Sequence, residues 1–176
     1  MMGLRGFLGM IALAGISQAA TAQAPAPPAA PPGPLPAPAR GPSLAASLDA
    51  ARTAIATCSG NGYKVAVSVV DSAGVLKVLL ASDGAPARVV EYSKMKAATA
   101  LAMNMPTSEV ADKAKTDRAL AARLAADPTL FAHAGGLLLK AGDSVIGAIA
   151  VSGAPEGDKD EACASAAIAK VKAELK

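Results

Sequence analysis

Nine of the thirteen prolines in this 176-residue chain fall between Pro25 and Pro42. Proline fixes φ and offers no backbone donor, so a Pro/Ala stretch of this kind neither continues a helix nor joins a sheet. It predicts an extended, solvated tether over residues 23–42. Any core must come from the remaining stretch, Ser43 to Lys176, which is a normal size for one domain. The segment ahead of the tether reads as an export signal. Arg5 supplies the positive end, Phe7 to Ile16 an apolar run, and Ala20-Thr21-Ala22 the small residues a signal peptidase reads. The run is broken by Ser17 and Gln18 and is shorter than the ~20 apolar residues a membrane span needs. Residues 1–22 are thus expected to be a cleaved signal rather than a stable membrane anchor, and the mature protein to be periplasmic or secreted.

The domain is 52% hydrophobic by whole-chain composition but only 2% aromatic, with no Trp. That is enough apolar surface for one core, which excludes a disordered chain. The scarcity of aromatic platforms argues against stacking on single-stranded nucleic acid. A net charge of +3 is too small for a phosphate-backbone binder. No nucleic-acid partner is expected. Cys58 and Cys163 are the only cysteines, and in an exported chain an even count invites a disulfide, two buried thiols being the alternative. With one His and no Cys-x-x-Cys pair, a zinc site is the weakest of the three readings of these cysteines.

Leu44, Leu48, Ala51 and Ile55 recur at helical spacing after Ser43, a capping residue, and Gly60-Asn61-Gly62 ends the segment. Tyr63–Val70 and Val75–Leu80 read as strands around the turn Asp71-Ser72-Ala73-Gly74. Pro86 opens a helix from about Ala87 to Met103, which Pro106 stops, and two short helices follow near Ser108–Ala114 and Arg118–Ala125. Leu137–Lys140 and Ser144–Val151 form a second hairpin. A last helix follows, where Asp158 and Glu161 have capping-box spacing. The order α-β-β-α-α-α-β-β-α with tight turns predicts an α+β domain: a single antiparallel sheet flanked by helices. The two cysteines then lie in its first and last helices.

Within this framework an ordered set of blocks stands out: Val67–Gly74 (VSVVDSAG), Asp83-Gly84-Ala85, Ser93–Ala100 (SKMKAATA), Met105-Pro106-Thr107, Gly135-Gly136, Val145–Ala154 (VIGAIAVSGA) and Asp160–Ala164 (DEACA). This series resembles the GlcG/HbpS family, also called the haem-degrading-domain family, which includes the C-terminal domain of PduO-type proteins. The resemblance spans about residues 44–175. It implies a profilin-like sheet of about five strands, binding of haem or a related tetrapyrrole as cofactor, and assembly into a homo-oligomer. Relatives often carry Arg shortly before the Asp-Gly-Ala block and His shortly after it and before the Asp-Glu pair. This chain has Ala81, Arg88 and Lys159 there.

The candidate ligand-binding residues are Arg88, Tyr92, Lys96 and His133. Arg88, Tyr92 and Lys96 are spaced i, i+4, i+8 and share a helix face, where cations suit haem propionates or another small carboxylate ligand. His133, the only His, precedes Gly135-Gly136 and is the candidate metal ligand, against the plainer reading of a loop His. Tyr92 offers a phenol for ferric iron. Met95 and Met103 offer thioethers, although core filling is the commoner use of Met. Ser93 and Lys96 fit Ser-x-x-Lys but lack the partner motifs of penicillin-binding enzymes. Asp71 and Asp83 read as turn residues. The leading expectation is an exported small-ligand-binding protein for haem or a related tetrapyrrole. The alternatives are a cofactor-free oligomeric interaction module of the periplasm and an enzyme acting on a small organic molecule.

Overall fold

A computed structural model describes residues 39–176, so the signal segment 1–22 and residues 23–38 of the tether lie outside the described residues. Helix α1 (Leu44–Gly60) starts where Ser43 Oγ accepts from Ala46 N at 3.1 Å. Strand β1 (Ala66–Asp71) turns into β2 (Leu76–Ala81) through Asp71, whose Oδ1 accepts from Ala73 N and Val75 N, both at 2.9 Å. Arg40 O accepts from Ser72 N at this turn, so the chain is already packed two residues before Pro42. Helix α2 (Ala87–Met103) follows Pro86 and closes at Asn104 in the left-handed conformation. Then come α3 (Thr107–Ala114), α4 (Arg118–Ala126), β3 (Gly136–Ala141), β4 (Ser144–Ser152) and α5 (Gly157–Val171).

The strands form one fully antiparallel sheet in the order β2-β1-β4-β3. Four strands are present among the described residues, one fewer than the family resemblance implied. The segment between α4 and β3 is folded into turns instead. Asp127 Oδ1 holds Thr129 N and Oγ1, and Leu130 N donates to Asp127 O.

On one sheet face α1 and α5 pack Ala50, Ala54, Ala164 and Ala167 over Val67, Val69, Ile149 and Val151. On the other, Ala97 and Ala100 of α2 meet Val70, Ala148 and Ala150. Small residues on both sides let α2 approach the sheet closely, and coverage on both faces explains why β1 is buried along its whole length rather than alternating. The expected capping box does not form. Glu156 is the N-cap of α5 and makes no side-chain cap bond, while Asp158 sits inside the first turn.

Cys58 on α1 and Cys163 on α5 form the expected disulfide. It spans 105 residues of chain, and loop entropy for that length gives an upper-end contribution of about 4–5 kcal/mol. The double variant Cys58→Ala/Cys163→Ala should therefore unfold at clearly lower urea concentration than the oxidised protein. An unchanged midpoint would show that the bridge adds nothing to stability.

Candidate functional site

Lys96, in the middle of α2, points into the molecule and is the bulkiest fully buried side chain among the described residues. A buried ammonium is tolerable only when its charge and donors are matched. Here Nζ donates to Asp160 Oδ2 at 2.7 Å and to Val151 O at 3.1 Å. Asp160 Oδ1 accepts in turn from Ala154 N at 2.9 Å. The Lys96 and Asp160 side chains are 2% and 4% exposed. Burial pulls the Lys96 pKa below its ordinary value, and the negative charges of Asp160 and Glu161 pull it part of the way back. Gly135 runs directly over the pair with φ +124°, and a Cβ there would lie 2.8 Å from Asp160 Cβ and 2.9 Å from Lys96 Nζ. Only glycine fits that position.

Above this floor lies a concavity of about 210 Å³. Its walls are Arg88, Val89 and Tyr92 of α2, Phe131 and His133 of the loop before β3, and Ser152–Ala154 at the end of β4. The aromatic rings form a continuous stack. Tyr92 and Phe131 have centroids 4.7 Å apart at 19°, and Phe131 and His133 lie 5.6 Å apart at 6°. Phe131 is held in place because its N–H donates to Thr99 Oγ1 of α2 at 2.7 Å. The His133 ring stands against Gly157 at the start of α5, where a Cβ would come within 2.8 Å of Nδ1 and Cε1.

All four residues singled out from sequence, Arg88, Tyr92, Lys96 and His133, thus line one concavity. The structure corrects the role of one of them. Lys96 is not a free cation on a helix face, because Asp160 already neutralises it. Arg88 is exposed and makes no ion pair among the described residues, whereas the neighbouring Lys94 pairs with Glu91 at 2.6 Å. Met95 and Met103 are half-buried and do not line this concavity. Ser93 Oγ is buried against Ser68 Oγ at 2.7 Å, so the Ser-x-x-Lys pattern is a packing feature. Sequence reasoning misses Phe131 and Asp160. Phe131 sits two residues before the only His, a signal in a chain with so few aromatics, and Asp160 is masked by its place in a helix start. No cluster of three or more His, Cys, Asp or Glu able to hold a metal occurs among the described residues. A single imidazole suits a metal that brings its own chelate.

The family model described as haem-degrading protein HbpS-like matches residues 43–169. The chain is 37% identical to a double mutant of HbpS from Streptomyces reticuli, with a TM-score of 0.70, over 85% of this chain and 99% of that one. It is 26% identical to the protein of a PduOC:heme complex, with a TM-score of 0.67, over 73% of this chain and 94% of that one. The Klebsiella pneumoniae protein ORFY shares the fold at 23% identity and a TM-score of 0.71, over 82% of this chain and 99% of that one. Comparison with curated proteins gives no match.

Removing one partner of the buried pair should be severe. Lys96→Met or Asp160→Asn is expected to cost about 3–5 kcal/mol in urea unfolding, and Lys96→Met/Asp160→Leu to recover much of it. The pH dependence has a definite sign. The unfolded chain keeps the Lys96 proton up to the ordinary lysine range, and the folded chain gives it up at lower pH. Between those values the unfolded state binds more protons, so this contribution to stability rises with pH. Relative to the double variant, the natural protein should gain stability as pH climbs toward the ordinary lysine value. A constant or falling difference would contradict the assignment.

Proposed function

The chain belongs to the HbpS-like haem-degrading family, and on that premise we propose that it is an exported protein that binds haem or a related tetrapyrrole at the concavity above Lys96 and Asp160. The observation that carries this reading is the convergence of an aromatic stack, Tyr92–Phe131–His133, with a guanidinium, Arg88, that has no ion-pair partner among the described residues, on one rim. An imidazole held at the end of an aromatic stack suits the iron of a tetrapyrrole, and a guanidinium favours its carboxylates. The donor set fits an iron tetrapyrrole: His133 offers an imidazole and Tyr92 a phenol, and both side chains are exposed.

Haem would supply a redox-active iron when bound. The chain's own residues would offer the iron an imidazole (His133, its ring backed by Phe131 and then Tyr92) and pair with a propionate (Arg88). At about 210 Å³ the concavity is smaller than the ~300–1,000 Å³ of sites that enclose a drug-sized ligand. It therefore encloses only part of a tetrapyrrole and leaves the remainder to solvent or to a second copy of the chain. The haem complex of the PduOC neighbour supports the same ligand class. The amino-terminal signal pattern supports export, and no helix among the described residues is long and apolar enough to cross a membrane.

Titrating ferric haem into the purified protein should give a shifted Soret band that saturates at a fixed ratio. His133→Ala should change the band position. Arg88→Glu should weaken binding about tenfold, in line with the loss of a charge-assisted pair and its replacement by a repulsive one. Absorbance that grows without saturating, or a spectrum indifferent to His133→Ala, Tyr92→Phe and Arg88→Glu together, would overturn the proposal.

A further inference from the structure

A second feature lies at the far edge of the sheet. Among the described residues strand β3 pairs only with β4, which leaves its other side an open edge. Val151 N donates to Gly135 O, and the antiparallel pattern alternates from there. The register shift after Leu139 adds Ile146 to β4 and leaves the alternation of β3 itself intact, so the peptide groups of Gly136, Leu138 and Lys140 turn outward. Those of Gly136 are taken by Thr107, whose Oγ1 accepts from Gly136 N at 2.8 Å and donates to Gly136 O at 3.4 Å. Nothing among the described residues takes those of Leu138 and Lys140.

This open stretch borders a groove of about 540 Å³ between the β3 edge and α5. Ile168, Ala169 and Leu175 line it as an apolar shelf, and Lys140 and Lys172 stand at its rim. Neither lysine is in an ion pair among the described residues. Asp143 and Glu174 flank the groove in sequence but do not line it.

We propose that the β3 edge and the α5 shelf form a peptide-binding site, which takes an extended segment carrying acidic residues beside apolar ones. The segment would add a strand to the sheet through the peptide groups of Leu138 and Lys140. It would seat alternate side chains on Ile168 and Ala169 and place a carboxylate against Lys140 and Lys172. Charge decides between this occupant and a second copy of β3. Another copy would bring its own Lys140 and Lys172 into the same groove, where like charges repel. The site is separate from the haem concavity and does not depend on it.

A fluorescein-labelled octapeptide of alternating valine and glutamate, followed by fluorescence anisotropy against the full purified chain, tests this directly. Saturable binding of one peptide per chain is expected, at least tenfold weaker for the valine–lysine counterpart. Leu138→Pro removes an edge N–H without removing a ladder bond, and it should weaken binding at least tenfold. Lys140→Glu/Lys172→Glu should do the same through exposed side chains that folding does not need. Both variants should keep the Soret titration of the natural protein. Non-saturable binding, equal affinity for the lysine peptide, or indifference to the lysine replacements overturns the proposal. So does a multimer that Lys172→Glu dissociates and excess glutamate peptide leaves intact, since the groove then belongs to a second copy.

Discussion

The molecule is organised around one buried ion pair. Lys96 and Asp160 come from helices on opposite faces of the sheet, and they meet at the end of β4. Withdrawing two charges from water costs several kcal/mol for each, and the structure answers with hydrogen bonds from Lys96 to Val151 O and from Ala154 N to Asp160. The geometry that satisfies those bonds sets the positions of α2, the end of β4 and the start of α5 together. The concavity is what remains open above that junction, and so it sits at the end of the sheet and not on a face.

Helix α5 is held from two sides. Cys163 lies one turn beyond Asp160 and is bonded to Cys58 of α1, while Asp160 reaches back to α2. The same helix start carries Gly157, which admits the His133 ring, and the loop above it carries Gly135, which clears the ion pair. Stability and site geometry therefore share residues. The stack Tyr92–Phe131–His133 depends on a loop pinned to α2 by Thr99 at one end and seated on α5 at the other.

Much of this architecture is legible in the chain. Asp71–Gly74 and Ala141–Asp143 mark both hairpins, Ser43 and Pro86 mark helix starts, and the lone cysteine pair of a chain that opens on an export-signal pattern marks the bridge. The i, i+4, i+8 spacing places Arg88, Tyr92 and Lys96 on one side of α2, and all three line the concavity. Spacing along one helix cannot reveal a partner 64 residues away, so Lys96 reads as a free cation and Asp160 as part of a helix start. The stacking of Phe131 is hidden for the same reason, since it is made by a loop whose path depends on Asp127 turns and a long-range bond to Thr99. The fifth strand came from resemblance and not from any run of residues in this chain.

The proposed haem site is bounded by α2, the loop before β3 and the end of β4. Ferric haem is paramagnetic, so adding it to the ¹⁵N-labelled protein broadens the amide resonances nearest the iron. Broadening should concentrate at residues 88–92, 131–135 and 152–154, while β3 from Leu138 to Ala141 stays sharp. Broadening centred on the β3 edge, or spread evenly over the domain, would contradict that placement.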